Sequence, residues 1–246
     1  MTDAPRVAVF RPDDERLASA AGTLRALGAD PVADPMLAVE PTGAAPRADA
    51  DYAVLTSTTG AELAADAGWA PGTATLCAIG GTTAGALREA GYAVDVVPAE
   101  YSSEGLVDRL RGEVGGARVE VARSDHGSAV LLDGLGAAGA YVHETVLYRL
   151  ARPEGAGGSA NLAAAGDLDA ALFTSSLTVE HFLDAAAERG VRETALAGLN
   201  DAVVGTIGDP TRETAEELGV EVDVVAPTAD FEALARAVVE RLDSST

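Results

Sequence analysis

Short runs of apolar residues alternate along this chain with segments whose apolar positions recur every three or four residues. Val7-Ala8-Val9-Phe10 reads as a strand, and between Asp13 and Gly28 the residues Leu17, Ala20, Ala21, Leu24 and Leu27 draw one helical face that stops at a glycine. The same reading predicts strands over 52–55, 75–79, 93–97, 118–122, 141–150, 170–173, 203–207 and 222–225. It predicts helices over 59–67, 82–90, 103–110, 128–138, 177–189, 211–218 and 230–242, and leaves the Gly- and Ala-rich stretch 152–166 as a loop. Single helices between strands imply parallel βαβ units with helices on both faces, an α/β class.

The pattern repeats. Ile79-Gly80-Gly81-Thr82-Thr83, leading through Gly91 to Val94-Asp95-Val96-Val97, returns 128 positions later as Ile207-Gly208-Asp209-Pro210-Thr211, leading through Gly219 to Val222-Asp223-Val224-Val225. Thr56-Ser57 after one strand matches Thr174-Ser175, 118 positions on, and Arg11 matches Arg123, 112 positions on. These offsets differ only by loop length, so two homologous α/β domains of about half the chain each follow. Segment 35–41 is a short apolar strand between prolines, and 145–153 is its counterpart. If the two pair, they form a two-stranded β linker and make one domain discontinuous. The expected division is 1–37 plus 153–246 for that domain, 41–146 for the other, and linker strands at 38–40 and 147–152.

Charge narrows the partners. The 246 residues carry 39 acidic and 17 basic side chains, a net charge of −22, and every basic residue is arginine. Nucleic acid and anionic membrane surfaces need clustered cations, so neither is an expected partner. Carboxylates without lysine fit a halophilic surface, because molar salt shrinks the Debye length to about 3 Å and screens self-repulsion. The single cysteine, Cys77, excludes a disulfide framework and any cysteine-built zinc site, and three scattered histidines argue against a His-rich metal centre. Met1 is followed by polar residues rather than a signal-like apolar run, and no stretch reaches membrane-spanning length, so the expected compartment is the cytoplasm.

Hydroxyls gather where strands pass into helices: Thr56, Ser57, Thr58 and Thr59; Thr82 and Thr83; Ser102 and Ser103; Thr174, Ser175 and Ser176; Thr211. In an open parallel sheet these points share one edge, where ligands bind. Each alone is an ordinary helix cap. Repeated in two facing halves, they leave backbone N–H groups and helix N-termini ready for carboxylate or phosphate. No GxGxxG, P-loop or nucleophile-elbow pattern accompanies them, and His126 and His181 read as solvent-facing or capping residues.

Five segments stand out in their order and spacing: Leu55-Thr-Ser, Cys77-Ala-Ile-Gly-Gly-Thr-Thr-Ala-Gly-Ala-Leu, Val96-Val-Pro-Ala-Glu-Tyr-Ser-Ser-Glu-Gly-Leu106, Gly139-Ala-Tyr-Val running to Val146-Leu-Tyr-Arg149, and Leu172-Phe-Thr-Ser. Through them nearly the whole chain resembles the uroporphyrinogen-III synthase family. It implies two α/β domains on a two-stranded linker and a cofactor-free, metal-free, monomeric enzyme that closes the linear tetrapyrrole hydroxymethylbilane to uroporphyrinogen III, inverting the last pyrrole. Its cleft would lie between the domains. The resemblance further implies that Tyr148 assists loss of the substrate hydroxyl, since a phenol is protonated at neutral pH. Thr83 and Thr211 match the threonines of the Ile-Gly turns at Gly80 and Gly208, Ser57 and Ser175 those of the Thr-Ser corners, and Arg11 and Arg123 would meet substrate carboxylates. Asp209-Pro210 departs from the family's usual reading of its turn. A non-catalytic tetrapyrrole- or anion-binding sensor of this fold would keep the cleft without needing Tyr148. A bilobed small-molecule binding protein would usually be exported.

Overall fold

The computed structural model describes residues 4–12 and 14–244; Asp13, where the first helical pattern starts, and the outermost residues of 1–37 and 153–246 lie outside them. Chain order runs β1 (Arg6–Phe10), α1 (Glu15–Ala26), β2 (Asp30–Ala33), β3 (Ala38–Pro41), β4 (Tyr52–Leu55), α2 (Thr58–Asp66), β5 (Thr75–Ala78), α3 (Gly81–Glu89), α4 (Ser103–Leu110), β6 (Arg118–Ser124), α5 (Ala129–Ala137) and β7 (Tyr141–Ala151). It continues with α6 (Ser159–Ala165), β8 (Ala170–Phe173), α7 (Ser176–Glu188), α8 (Arg192–Asp201), β9 (Val203–Thr206), α9 (Asp209–Glu217), β10 (Val224–Val225) and α10 (Phe231–Asp243). Two compact units result, one of Met1–Ala38 with Ala151–Thr246 and one of Val39–Leu150.

In the first unit the strands stand in the order β10-β9-β8-β1-β2, with parallel pairing throughout. Side chains alternate across the pleat, so each central strand feeds two cores. Ala8, Phe10, Ala171 and Phe173 pack under α6 to α9, where Phe10 stacks on Phe173 at 4.6 Å between ring centres. Val7, Val9, Ala170 and Leu172 face α1 and α10. Asp14 caps α1 by accepting the Arg16 amide, and Asp230 caps α10 by accepting that of Ala233.

The second unit repeats this plan in the order β3-β7-β6-β4-β5, with β4 parallel to β5 and to β6, and β6 parallel to β7. Ala53, Leu55 and Ala122 pack against α2 and α3, and Val54, Cys77, Val119 and Val121 against α4 and α5. The duplication reaches single hydrogen bonds. Asp95 accepts the Leu76 amide and Asp223 accepts the Val204 amide; both carboxylates and both amides are 128 positions apart. Asp51 and Asp169 likewise accept the amides that open β6 and β1.

Several sequence expectations need correction. Segment 93–97 forms no strand: only Val96 bridges to Cys77, because the Asp95 carboxylate occupies the Leu76 amide that a paired strand would use. Segment 222–225 shortens to the two residues of β10 for the matching reason, with Asp223 on Val204. Of 35–41, only Ala38–Pro41 is strand, bordering β7 in the second unit's sheet. The 152–166 loop contains α6, and the chain also holds α8 and β2, which the periodicity does not pick out. His181 is no free surface group, since its Nδ1 donates to the Met36 carbonyl.

Cys77 is fully buried, and burial, with Asp95 nearby, pushes its thiol up to about 12. Thiolate is the reactive form, so the folded thiol is inert at neutral pH. This gives a reporter for the acidic surface. Native-state alkylation of Cys77 is expected to be negligible in molar KCl and to rise as salt is removed, with the thermal midpoint falling in step. Equal protection and equal midpoints at low and molar salt would exclude a salt-dependent fold.

Candidate functional site

Because each sheet is parallel at its centre, the carboxyl ends of its inner strands gather along one edge, and the candidate residues sit there. In the second unit, Ser57 follows β4 and caps α2: its Oγ accepts the Gly60 amide at 3.0 Å. The Tyr148 hydroxyl, on β7 opposite Ser124 at the end of β6, meets the same Oγ at 3.0 Å. The ring is buried in the core beneath. Two hydroxyls hold two hydrogens, and the bond between them uses one. The other is left for a ligand. Thr56, Ser57, Ser103, Ser124, Ser128, Arg123 and Tyr148 help to line a cavity of about 240 Å³.

Arg123 is not a free cation in that cavity. Its side chain is 7% exposed, its Nε donates to Glu144 at 2.5 Å, and its Nη1 donates to the Ser128 carbonyl. Gly127 leaves the room it needs, since a Cβ there would meet the guanidinium at 2.5 Å.

The copy in the first unit is built differently. Arg11, Thr174, Ser175, Ile207, Asp230 and Phe231 border a cavity of about 420 Å³. The Arg11 guanidinium lies over the Phe231 ring, 5.2 Å from its centre. Among the described residues, neither its buried Nε nor the buried Ser175 Oγ has a hydrogen-bond partner. Burial, with Arg16 nearby, moves the Arg11 pKa down from its ordinary value, against the pull of Asp14 and Asp230. An arginine so placed stays charged and keeps its fork available. Orphaned buried donors are costly, and an anion in this cavity would satisfy them.

Not every candidate reaches a cavity wall. Thr83 and Thr211 are each 4% exposed and face packing in the first turns of α3 and α9. Gly80 and Gly208 are the N-cap residues of those helices, without side-chain caps. Ser102 caps α4 through the Gly105 amide. Thr58 is exposed, and Ser176 donates to the Pro210 carbonyl while accepting from Thr214; Thr174, at the wall of the first unit's cavity, has its hydroxyl committed to the Phe10 carbonyl. Phe231, Ser124 and Ser128 escape the sequence reading. The 128-residue offset could have found Phe231, which stands where Ser103 stands in the other half. Among the described residues, no three or more His, Cys, Asp or Glu side chains gather in a metal-holding group, and no helix is long and apolar enough to cross a membrane.

Residues 18–236 match the family model described as Uroporphyrinogen-III synthase HemD. A protein of Methanothermobacter thermautotrophicus, provisionally named a uroporphyrinogen-III synthase, is 37% identical over 146 residues, which span 58% of this chain and 57% of that relative. A mutant uroporphyrinogen III synthase of Thermus thermophilus superposes with a TM-score of 0.69 at 20% identity, over 99% of this chain and 100% of its own. The uroporphyrinogen-III synthetase of Helicobacter pylori gives 0.60 at 13%, over 96% and 99%. At such identities these structures speak for a shared α/β fold with two mostly parallel sheets.

Proposed function

Since this chain belongs to the uroporphyrinogen-III synthase family, we propose that it catalyses the cyclising dehydration of hydroxymethylbilane to uroporphyrinogen III, with inversion of the last pyrrole ring. The observation that carries the reading is the Tyr148–Ser57 hydroxyl pair at the wall of a hydroxyl-lined cavity. A leaving hydroxide needs a proton, and the pair keeps one hydroxyl hydrogen uncommitted beside the space a ligand would fill. The carbon–oxygen bond breaks, oxygen departs with the bonding pair and takes that proton as water, and the pyrrole nitrogen lone pair closes the cationic azafulvene. Loss of the pyrrole N–H proton returns the site to its starting charge.

The two units take different tasks in this reading. Arg11, held over Phe231, anchors a substrate carboxylate, while Arg123, already paired with Glu144, shapes the wall around Tyr148. Ser57, Ser175 and the helix N-termini behind them supply further donors. Holding a flexible polycarboxylate in one geometry favours the inverted ring closure over the direct closure that the free substrate undergoes.

Incubation with freshly prepared hydroxymethylbilane in molar salt, followed by chromatography of the oxidised porphyrins, tests this directly. Isomer III in excess is the expected product. Isomer I alone, formed at the rate of the protein-free control, overturns the enzyme reading and leaves a binding module of the same fold.

A further inference from the structure

Most aromatic rings among the described residues are wholly or partly buried; Tyr141 and Tyr101 are the exceptions, and Tyr101, 68% exposed, is the one followed at once by the Ser102-Ser103 corner. It is not loose. A Cβ placed on Gly80 would stand 3.2 Å from the Tyr101 Cβ and 3.3 Å from its Cγ, and one on Gly81 would stand 3.3 Å from the phenol oxygen. The ring therefore lies along the glycine pair over its whole length, on backbone that no side chain covers. Gly80 has a φ of −165°, extended backbone open to any residue, so glycine serves here for space and not for conformation. Ile79 before the pair and Ser103 after the tyrosine both line the cavity that holds Tyr148.

The other unit lacks this arrangement. At an offset of 128, Ala229 replaces Tyr101, and Asp209-Pro210 replaces Gly81-Thr82. The exposed ring and its glycine bed belong to the second unit, where their chain neighbours Ile79 and Ser103 line the Tyr148 cavity.

We propose that Tyr101 is an aromatic platform for the reacting pyrrole, placing its π face against the azafulvene cation. The assignment rests on the synthase reading above. When the carbon–oxygen bond breaks and water leaves, the positive charge is delocalised over that pyrrole and its methylene carbon. A tyrosine face attracts such a charge, more strongly as water is excluded. The cation exists only after ionisation, so the ring contributes to the rate of water loss more than to substrate binding.

Single-turnover kinetics of Tyr101→Phe, Tyr101→Leu and Gly80→Ala, in the full chain at matched salt, decide it. The Phe variant, which keeps the π face, is expected within about twofold of wild type. The Leu variant should lose about two- to thirtyfold in the rate of water loss, with little change in KM and an unchanged thermal midpoint. Gly80→Ala pushes the ring off its bed and should slow the same step, while the double variant with Tyr101→Leu is no slower than Tyr101→Leu alone. A wild type inert on hydroxymethylbilane overturns the synthase reading and this assignment with it. An active wild type matched by Tyr101→Leu overturns the assignment alone.

Discussion

Replacing Gly198 by alanine is expected to disrupt the first unit although it adds one methyl group. Gly198 lies in α8 where that helix crosses α6, and a Cβ there would sit 1.8 Å from the Ala163 carbonyl oxygen and 2.6 Å from its carbon. Both obstacles are backbone, so no side chain can rotate away. The helices would have to separate, opening the core that Ala160, Ala163, Ala195 and Leu199 fill. Overpacking of this kind costs on the order of 3 kcal/mol, a large share of a typical margin of about 5 to 15 kcal/mol. Gly22 in α1 is the control: nothing lies within 4 Å of its would-be Cβ. Gly22→Ala should stabilise by about 0.5–1 kcal/mol through helix propensity. Denaturant unfolding of both variants is the check, and a Gly198→Ala midpoint equal to wild type would contradict the close crossing.

Tyr148→Phe is expected to lower the rate of water loss about a hundredfold, the lower end of what a positioned proton donor supplies. The substitution removes one hydroxyl from the Tyr148–Ser57 pair but leaves Ser57 bonded to the Gly60 amide. The buried ring remains, so the stability cost is about 1 kcal/mol. Isomer III should still dominate the product, because ring inversion is steered by the donors that hold the substrate. Single-turnover assays with isomer analysis separate the outcomes. An unchanged rate would make Tyr148 a packing residue, and a switch to isomer I would make it the group that controls inversion.

The central strands were readable because they are buried on both faces: Tyr52–Leu55 and Ala170–Phe173 are continuous apolar runs with no solvent side to interrupt them. Helices with one large-residue stripe, such as Ser103–Leu110 with Leu106, Val107 and Leu110 inward, were equally legible. α6 and α8 were not, since they pack through small residues. Ala163 meets Gly198 backbone to backbone, a tertiary contact that leaves no periodic trace. The hydroxyl corners could be located from strand-to-helix junctions alone. What could not be read was the difference between Arg11 and Arg123. The pairing of β6 with β7 puts Glu144 within reach of Arg123, and the fold of α10 puts a phenyl ring under Arg11.

The carboxylates of Asp95 and Asp223 have one more consequence. Each holds an amide at the margin of its sheet, at Leu76 on the edge strand β5 and at Val204 on β9, beside the two-residue edge strand β10. With that donor already taken and the flanking segment reduced to one bridge or two residues, neither flank offers a ladder for a second chain to extend. Net charge ordinarily keeps acidic proteins apart, but that repulsion fades within a few ångströms in concentrated salt. A hydrogen-bonded plug does not depend on long-range charge. These two aspartates thus guard against intermolecular β-pairing under the ionic conditions in which like-charge repulsion no longer does.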